Sequence, residues 1–334
     1  MKRVALYCTN YEDATAWWRV VAPFSRLQRE TDEFFFDLQL SEQFLSMSHF
    51  FDVVLMQRPY KELHLKMAIE CKSRRIPLWI DYDDDLFNVP LSNPSYLTYI
   101  DDQNRNNIRG LLALADVITV TTRRLKELLE SQIGKGRNIQ VVPNALDLKA
   151  VPVRDLPIQT EKRVLWRGSR HHYEDVHDFI GAMGRCAKAF PEVKWYFLGS
   201  PPMFLVKREI PGAEFYAPMS GTAYWGTLQK IKPAIGVVPL VDNQFNRCKS
   251  NIAGIEYAYA GAVPLFPDWD AWNEIRGARY HDVDTFEEVL TELLEKPLET
   301  LAEIAEGSWS EVKSSFMIND INKKRARILR ELLQ

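Results

Sequence analysis

Cysteine is scarce in this 334-residue chain: four residues, Cys8, Cys71, Cys186 and Cys248, with no C-x-x-C pair. That argues against a disulfide framework or a cysteine zinc site and favours reduced thiols. No stretch approaches the roughly 20 apolar residues that a membrane-spanning helix needs. The opening Met1-Lys2-Arg3-Val4-Ala5-Leu6-Tyr7-Cys8 has too short an apolar run for a secretory signal and meets acid at Glu12-Asp13. A soluble, cytoplasmic protein is therefore expected. No G-x-G-x-x-G follows an apolar run, which disfavours a dinucleotide oxidoreductase. Repeats and low-complexity tracts are missing too, and a formal charge of −3 exerts no global pull toward nucleic acid or anionic lipid.

What is present is globular: 46% apolar and 26% charged residues in a chain long enough for two domains. Short apolar runs alternate with helical stretches, the pattern of α/β architecture with parallel sheets. Strands are expected at residues 4–7, 34–38, 53–57, 77–81, 117–121 and 139–142, then at 164–167, 193–198, 234–239 and 263–266. Helices are expected at 15–29, 60–73, 103–115 and 123–132, then at 172–189, 250–260 and 285–294. Between the two series, Pro143-Asn144 and the prolines Pro152 and Pro157 mark a linker. This gives a first domain over 1–150, a second over 151–310, and a helical tail, 311–334, that closes the chain.

The richest segment joins a buried strand, Ile235-Gly236-Val237-Val238-Pro239-Leu240, to Phe245-Asn246, Lys249-Ser250 and Glu256-Tyr257-Ala258-Tyr259-Ala260-Gly261-Ala262-Val263-Pro264. A helix opening on a lysine suits a diphosphate, because free N–H groups and the dipole's positive end face an anion there. Glu256 sits inside an otherwise apolar helix, so its carboxylate needs polar partners. Arg167-Gly168-Ser169 closes the first strand of the second series, with His172 and Asp175 opening the next helix. Gly168 would admit close backbone approach to a phosphate and Ser169 would cap or donate. A second Gly-Ser, Gly199-Ser200, ends the following strand, and Asp242 and Asn246 add hydrogen-bonding groups to the loop before Lys249. In the first series, Trp17-Trp18-Arg19 precedes Pro23, Gln57-Arg58-Pro59 ends a strand, and Asp81-Tyr82-Asp83-Asp84-Asp85 ends the next. Two adjacent tryptophans cannot share one helix face, so one is expected in the core and one as an acceptor platform. Four carboxylates within five residues repel, so a raised pKa or an arginine partner is expected among them.

These motifs together resemble the retaining family four of GT-B glycosyltransferases, in a branch that includes phage-encoded enzymes. The Ala115–122 step and the Val141-Val142-Pro143-Asn144-Ala145-Leu146-Asp147 stretch are similar as well. The resemblance implies two Rossmann-like domains facing each other across a cleft, with the terminal helix crossing back to the first. It implies a nucleotide-sugar donor and a hydroxyl acceptor, a saccharide or glycan first. Donor binding would use Gly168, Ser169, His172, Gly199, Asp242, Asn246, Lys249, Ser250 and Glu256, with Glu256 on the ribose and Lys249 on the diphosphate. Arg19 would reach the donor phosphates, and Trp17, Trp18, Arg58 and Asp84 would line the acceptor side. Retention is implied, with the leaving phosphate taking the proton. An inverting reaction would instead need Asp81 or Asp83 as general base. No cofactor or metal is expected, since the Asp-rich run is not the metal motif of the single-domain GT-A fold.

One departure stands out. The family places a second glutamate eight residues before the helix glutamate, and here that position is Cys248. Alternatives remain: transfer to hydroxymethylated pyrimidines of phage DNA, with Arg74, Arg75, Arg105, Arg109, Arg123 and Arg124 as a basic rim; a sugar-nucleotide epimerase; or an inactive sugar-nucleotide-binding protein.

Overall fold

The computed structural model describes residues 1–11, 13–39, 50–154, 160–219 and 221–334; Glu12 and Pro157 lie outside them. Two six-stranded sheets, every pairing parallel, carry the described residues. The first contains β1 (Lys2–Cys8), β2 (Phe34–Gln39), β3 (Val53–Gln57), β4 (Leu78–Tyr82), β5 (Val117–Val120) and β6 (Ile139–Val141), ordered β2-β1-β3-β4-β5-β6. The second contains β7 (Arg163–Gly168), β8 (Lys194–Gly199), β9 (Glu214–Tyr216), β10 (Ile235–Val237), β11 (Val263–Pro267) and β12 (Ala278–Tyr280), ordered β12-β11-β10-β7-β8-β9. Each order reverses beside its first strand. Open α/β sheets bind ligands at such switch points, outside the strands' carboxyl ends.

Burial explains why the central strands were legible and the edges were not. Strands β3, β4 and β11 are buried throughout, so they read as unbroken apolar runs. Strands β9 and β12 are three-residue edges of mixed polarity, Glu-Phe-Tyr and Ala-Arg-Tyr, and escaped the sequence. Helices Met203–Glu209 and Gly221–Ile231 also went unpredicted, as did the first part of Leu298–Ser315. The tail expected as one helix is two: Leu298–Ser315 ends at buried Phe316, and Ile318–Leu332 starts after Met317.

That last helix lies on the first sheet's side. Its Asn322 donates to the Pro23 carbonyl at 2.8 Å, and Arg330 pairs with Glu33 at 2.6 Å. The chain thus passes between the halves twice, and the two passages are tied: Leu146 N donates to Phe316 O and Ile318 N to Leu146 O.

Pro23 shapes the start of the chain. It lacks an N–H, and the turn before it, Trp17–Val21, widens to π-helical spacing, with Ala22 N donating to Trp17 O. The wide turn sends Trp18 and Arg19 inward, both buried.

Candidate functional site

The helix that carries Glu256 runs Ile252–Ala260 and is buried almost entirely. It is seated on the second sheet's switch point by Tyr257, whose hydroxyl donates to Leu165 O at 3.1 Å and Val237 O at 3.0 Å. Only glycine fits beneath that ring: a Cβ on Gly236 would stand 2.3 Å from it. The helix begins later than expected. Gln244–Arg247 is a separate turn, and Lys249 and Ser250 lie in the break before Ile252 rather than on the helix.

Glu256 is 4% exposed and does have polar partners. Tyr224 Oη donates to its Oε2 at 2.6 Å, and Arg167 Nε stands 2.6 Å from the same oxygen as an ion pair. Burial holds the carboxyl above its ordinary range, against the pull of Arg167 and Tyr224. Arg167 was quoted in the sequence but given no role, and Tyr224 lies on an unpredicted helix. Two Arg167 nitrogens, Nε and Nη2, are buried without a hydrogen-bond partner, Nε having only its ion pair with Glu256.

Around Lys249 the charge is mostly positive. His172 Nδ1 is 2.8 Å from Asp175, yet burial, with Lys249 and Arg167 beside it, keeps its pKa below the ordinary value. His171 is lowered by burial and by His172, Lys249 and Arg170. Lys249 Nζ faces the Phe245 ring at 4.4 Å and, from the other half, Asp84 at 3.7 Å. Neutral imidazoles ringed by cations can take up protons when an anion arrives.

Several expected site residues are placed otherwise. Arg19, expected at the donor phosphates, is bonded within its own half. It is buried with Asp81 in a bidentate pair (2.6 and 3.0 Å), and its Nη1 donates to Val142 O and Asn144 Oδ1. Asp81, also held by Thr119 Oγ1 at 2.6 Å, is buried and accepts three hydrogen bonds from its own half. Asp83 is buried against Arg58, and burial pushes its pKa up. Asp85 caps Phe87 and Asn88. Of the acid run, Asp84 alone meets the facing half. Burial raises it, but Lys249, Arg58 and the two histidines together pull it below the usual range. The repulsion among these carboxylates is answered by partners: Arg19 and Thr119 for Asp81, Arg58 shared by Asp83 and Asp84, Lys249 also for Asp84, and Asn88 with backbone N–H groups for Asp85.

Trp18 is core, edge-on to Trp225 with ring centroids 6.0 Å apart. Trp17 is half-buried between the clusters of the two halves. Asn246 turns inward, donating to Asp175 at 2.7 Å, and Asp242 is spent on Arg247 at the surface. Gly168 gives no opening for a phosphate on its Cβ side, where the Trp166 ring would be 2.6 Å away. Gly199 adopts φ +115°, and a Cβ there would strike Gly168 O at 2.0 Å. Ser169 caps the following turn through His171 N. Arg58, at the end of β3, holds a left-handed φ of 51° while bridging Asp83 and Asp84, a strained backbone of the kind found at functional sites.

Five of the six cations expected to rim a DNA surface, all but Arg75, have side-chain partners. Arg74 pairs with Glu70, Arg105 donates to Tyr99 O and Phe87 O, Arg109 stacks on Phe87, and Arg123 and Arg124 face Glu127. Among the described residues no His, Cys, Asp or Glu cluster could hold a metal ion, and no helix is long and apolar enough to cross a membrane.

The departure at Cys248 also has a location. Its side chain is fully buried in the first half's apolar cluster, across the cleft from its own sheet, and burial pushes the thiol up to about 12. Thr122 Oγ1 donates to its carbonyl at 3.0 Å.

No protein-family model and no curated protein matches the chain. Solved structures do. Sucrose-phosphate synthase from Thermosynechococcus elongatus superposes with a TM-score of 0.72 at 13% identity, over 99% of each chain. Anabaena HepE, solved with UDP and glucose, gives 0.69 at 12%, over 99% of this chain and 100% of that one. A glycosyltransferase from Rickettsia africae gives 0.69 at 11%, over 100% and 99%. With two six-stranded parallel sheets and likenesses that span both chains end to end, this protein has the GT-B fold of the glycosyltransferases.

Proposed function

We propose that the protein transfers a sugar from a nucleoside diphosphate sugar to a hydroxyl acceptor, a saccharide or glycan, with retention at the anomeric carbon. The observation that carries this reading is the pair of groups on one segment: buried Glu256 at the second sheet's switch point and Lys249 just before its helix, among His171, His172 and Arg167. A carboxylate that accepts hydroxyl hydrogens suits a ribose, and the cationic end suits a diphosphate.

In this reading 151–310 is the donor domain, 1–150 the acceptor domain and 311–334 a return to the first. Lys249 stabilises the negative charge that grows on the diphosphate as the glycosidic bond breaks. The departing phosphate oxygen accepts the acceptor's proton as the new bond forms on the same face, so no protein nucleophile is consumed. Asp84 and Arg58, facing Lys249 from the first half, orient the acceptor. Arg19 and Asp81 act one step back, as a buried support. The neighbours solved with UDP support a uridine donor first.

The test is incubation with UDP-, GDP- and ADP-sugars and a panel of saccharides, following slow hydrolysis and transfer by mass spectrometry. One donor should be consumed, and Lys249→Ala and Glu256→Ala should each lose that activity while remaining folded. Interconversion of free donors without transfer would point to an epimerase. Binding without turnover would point to a sensor.

A further inference from the structure

Three consecutive residues of the donor loop are held by the opposite half. Cys248 buries its side chain there and gives its carbonyl to Thr122; Lys249 faces Asp84; Ser250 Oγ receives Asn144 Nδ2 at 2.9 Å. Thr122 follows β5, Asp84 follows β4 and Asn144 follows β6, so the tripeptide spans three neighbouring strand ends of the first sheet.

Asn144 is the member with no other evident task. It is 4% exposed, and both halves of its amide are used. Arg19 Nη1, a donor only, lies 3.2 Å from it, which fixes the oxygen on that side and leaves the NH₂ for Ser250. Arg19 is in turn clamped by Asp81 and by Val142 O. Asn144 also stands two residues before Leu146, where the two passages between the halves are tied. A continuous chain therefore runs from buried Asp81, Arg19 and Asn144 to half-buried Ser250, and ends next to Lys249.

We propose that Asn144 is a positioning residue for donor binding: it ties Ser250 to the Arg19–Asp81 pair and so fixes the Lys249 ammonium where the diphosphate would lie. The proposal rests on the donor reading above and adds that the acceptor half builds part of the donor grip. A partly buried hydrogen bond of this kind, singly removed, changes affinity by about three- to tenfold.

Calorimetry with UDP, GDP and ADP, and with the corresponding nucleosides, tests this. Asn144→Ala and Ser250→Ala should each weaken the bound diphosphate by about three- to tenfold, and the double variant no more than either alone. Affinity for the nucleoside should stay unchanged, and Asn144→Ala added to Lys249→Ala should cost nothing further. Additive losses, equal losses for nucleoside and diphosphate, or no loss would overturn the positioning role. If Asn144→Ala fails to fold, Ser250→Ala alone carries the comparison of nucleoside with diphosphate. Should wild-type protein bind no nucleoside diphosphate, the donor reading falls and this inference with it. Binding that depends on Lys249 but not on Asn144 or Ser250 removes this inference alone.

Discussion

Replacing Cys248 by glutamate, the residue the resembling family carries, should damage this protein rather than restore it. The Cys248 thiol is fully buried in the first half's apolar cluster, and the charges that act on it are three acids, Asp85, Asp84 and Glu127, against one cation, Arg124. A carboxyl group placed there loses water and gains like-charge neighbours, and both effects raise its pKa, by about 3 units for a fully buried acid. At about 1.4 kcal/mol per unit, the ionised form costs about 4 kcal/mol, before any penalty for the larger side chain. The sign follows from a raised acid pKa: the cost is complete above the folded-state value and vanishes below the unfolded one, near 4.3. Urea unfolding of Cys248→Glu and Cys248→Gln from pH 8 to pH 5 separates charge from size. The glutamate variant should be less stable than the glutamine variant at pH 8, and the gap should narrow by several kcal/mol toward pH 5. Equal stability across that range would refute burial of this side chain across the cleft, and tighter donor binding by Cys248→Glu would show the family's acid site to be intact here.

Three further outcomes follow from the geometry. His64 is buried, accepts from the N–H groups of Tyr60 and Lys61 through Nδ1, and has its pKa pushed down to about 4 by burial. Its neutral form is the folded one, so stability should fall as pH drops from about 6.5 toward 4, by about 3 kcal/mol in all, and His64→Gln should remove that share of the slope. Gly236→Ala should lower stability by about 1–3 kcal/mol and weaken donor binding, because the added Cβ must displace the Tyr257 ring next to Glu256; unchanged melting and affinity would contradict the seating of that helix. Diphosphate binding should take up protons near pH 6.5, since His171 and His172 start with lowered pKa values and the anion raises them. Calorimetry in buffers of different ionisation enthalpy reads this directly, and no buffer dependence would place the anion away from these histidines.

The fold was legible wherever a strand is buried on both faces. Residues 53–57 were read to the residue, and the centres of β1, β4 and β7 within one or two positions at each end. Short edges such as Glu214–Tyr216, where one face meets water and the run is three residues, carry too little pattern to stand out. In the site, Lys249 and Glu256 could be named because they sit in one local motif. Their partners could not: Arg19 with Asp81, Lys249 with Asp84 and Asn144 with Ser250 are separated by 62 residues or more, and nothing in a single sequence pairs them. The same blindness hid the burial of Arg19. An arginine beside two tryptophans reads as free to bind phosphate, whereas the π-turn before Pro23 points it at the buried Asp81 carboxylate.

The most direct test is a crystal structure of the protein with the nucleoside diphosphate that calorimetry selects. Ribose hydroxyls within hydrogen-bond distance of Glu256, with the diphosphate at Lys249 and His172, are the expected result. A nucleotide seated anywhere else, or one that leaves the Tyr224–Glu256–Arg167 cluster and Lys249 untouched, would contradict it.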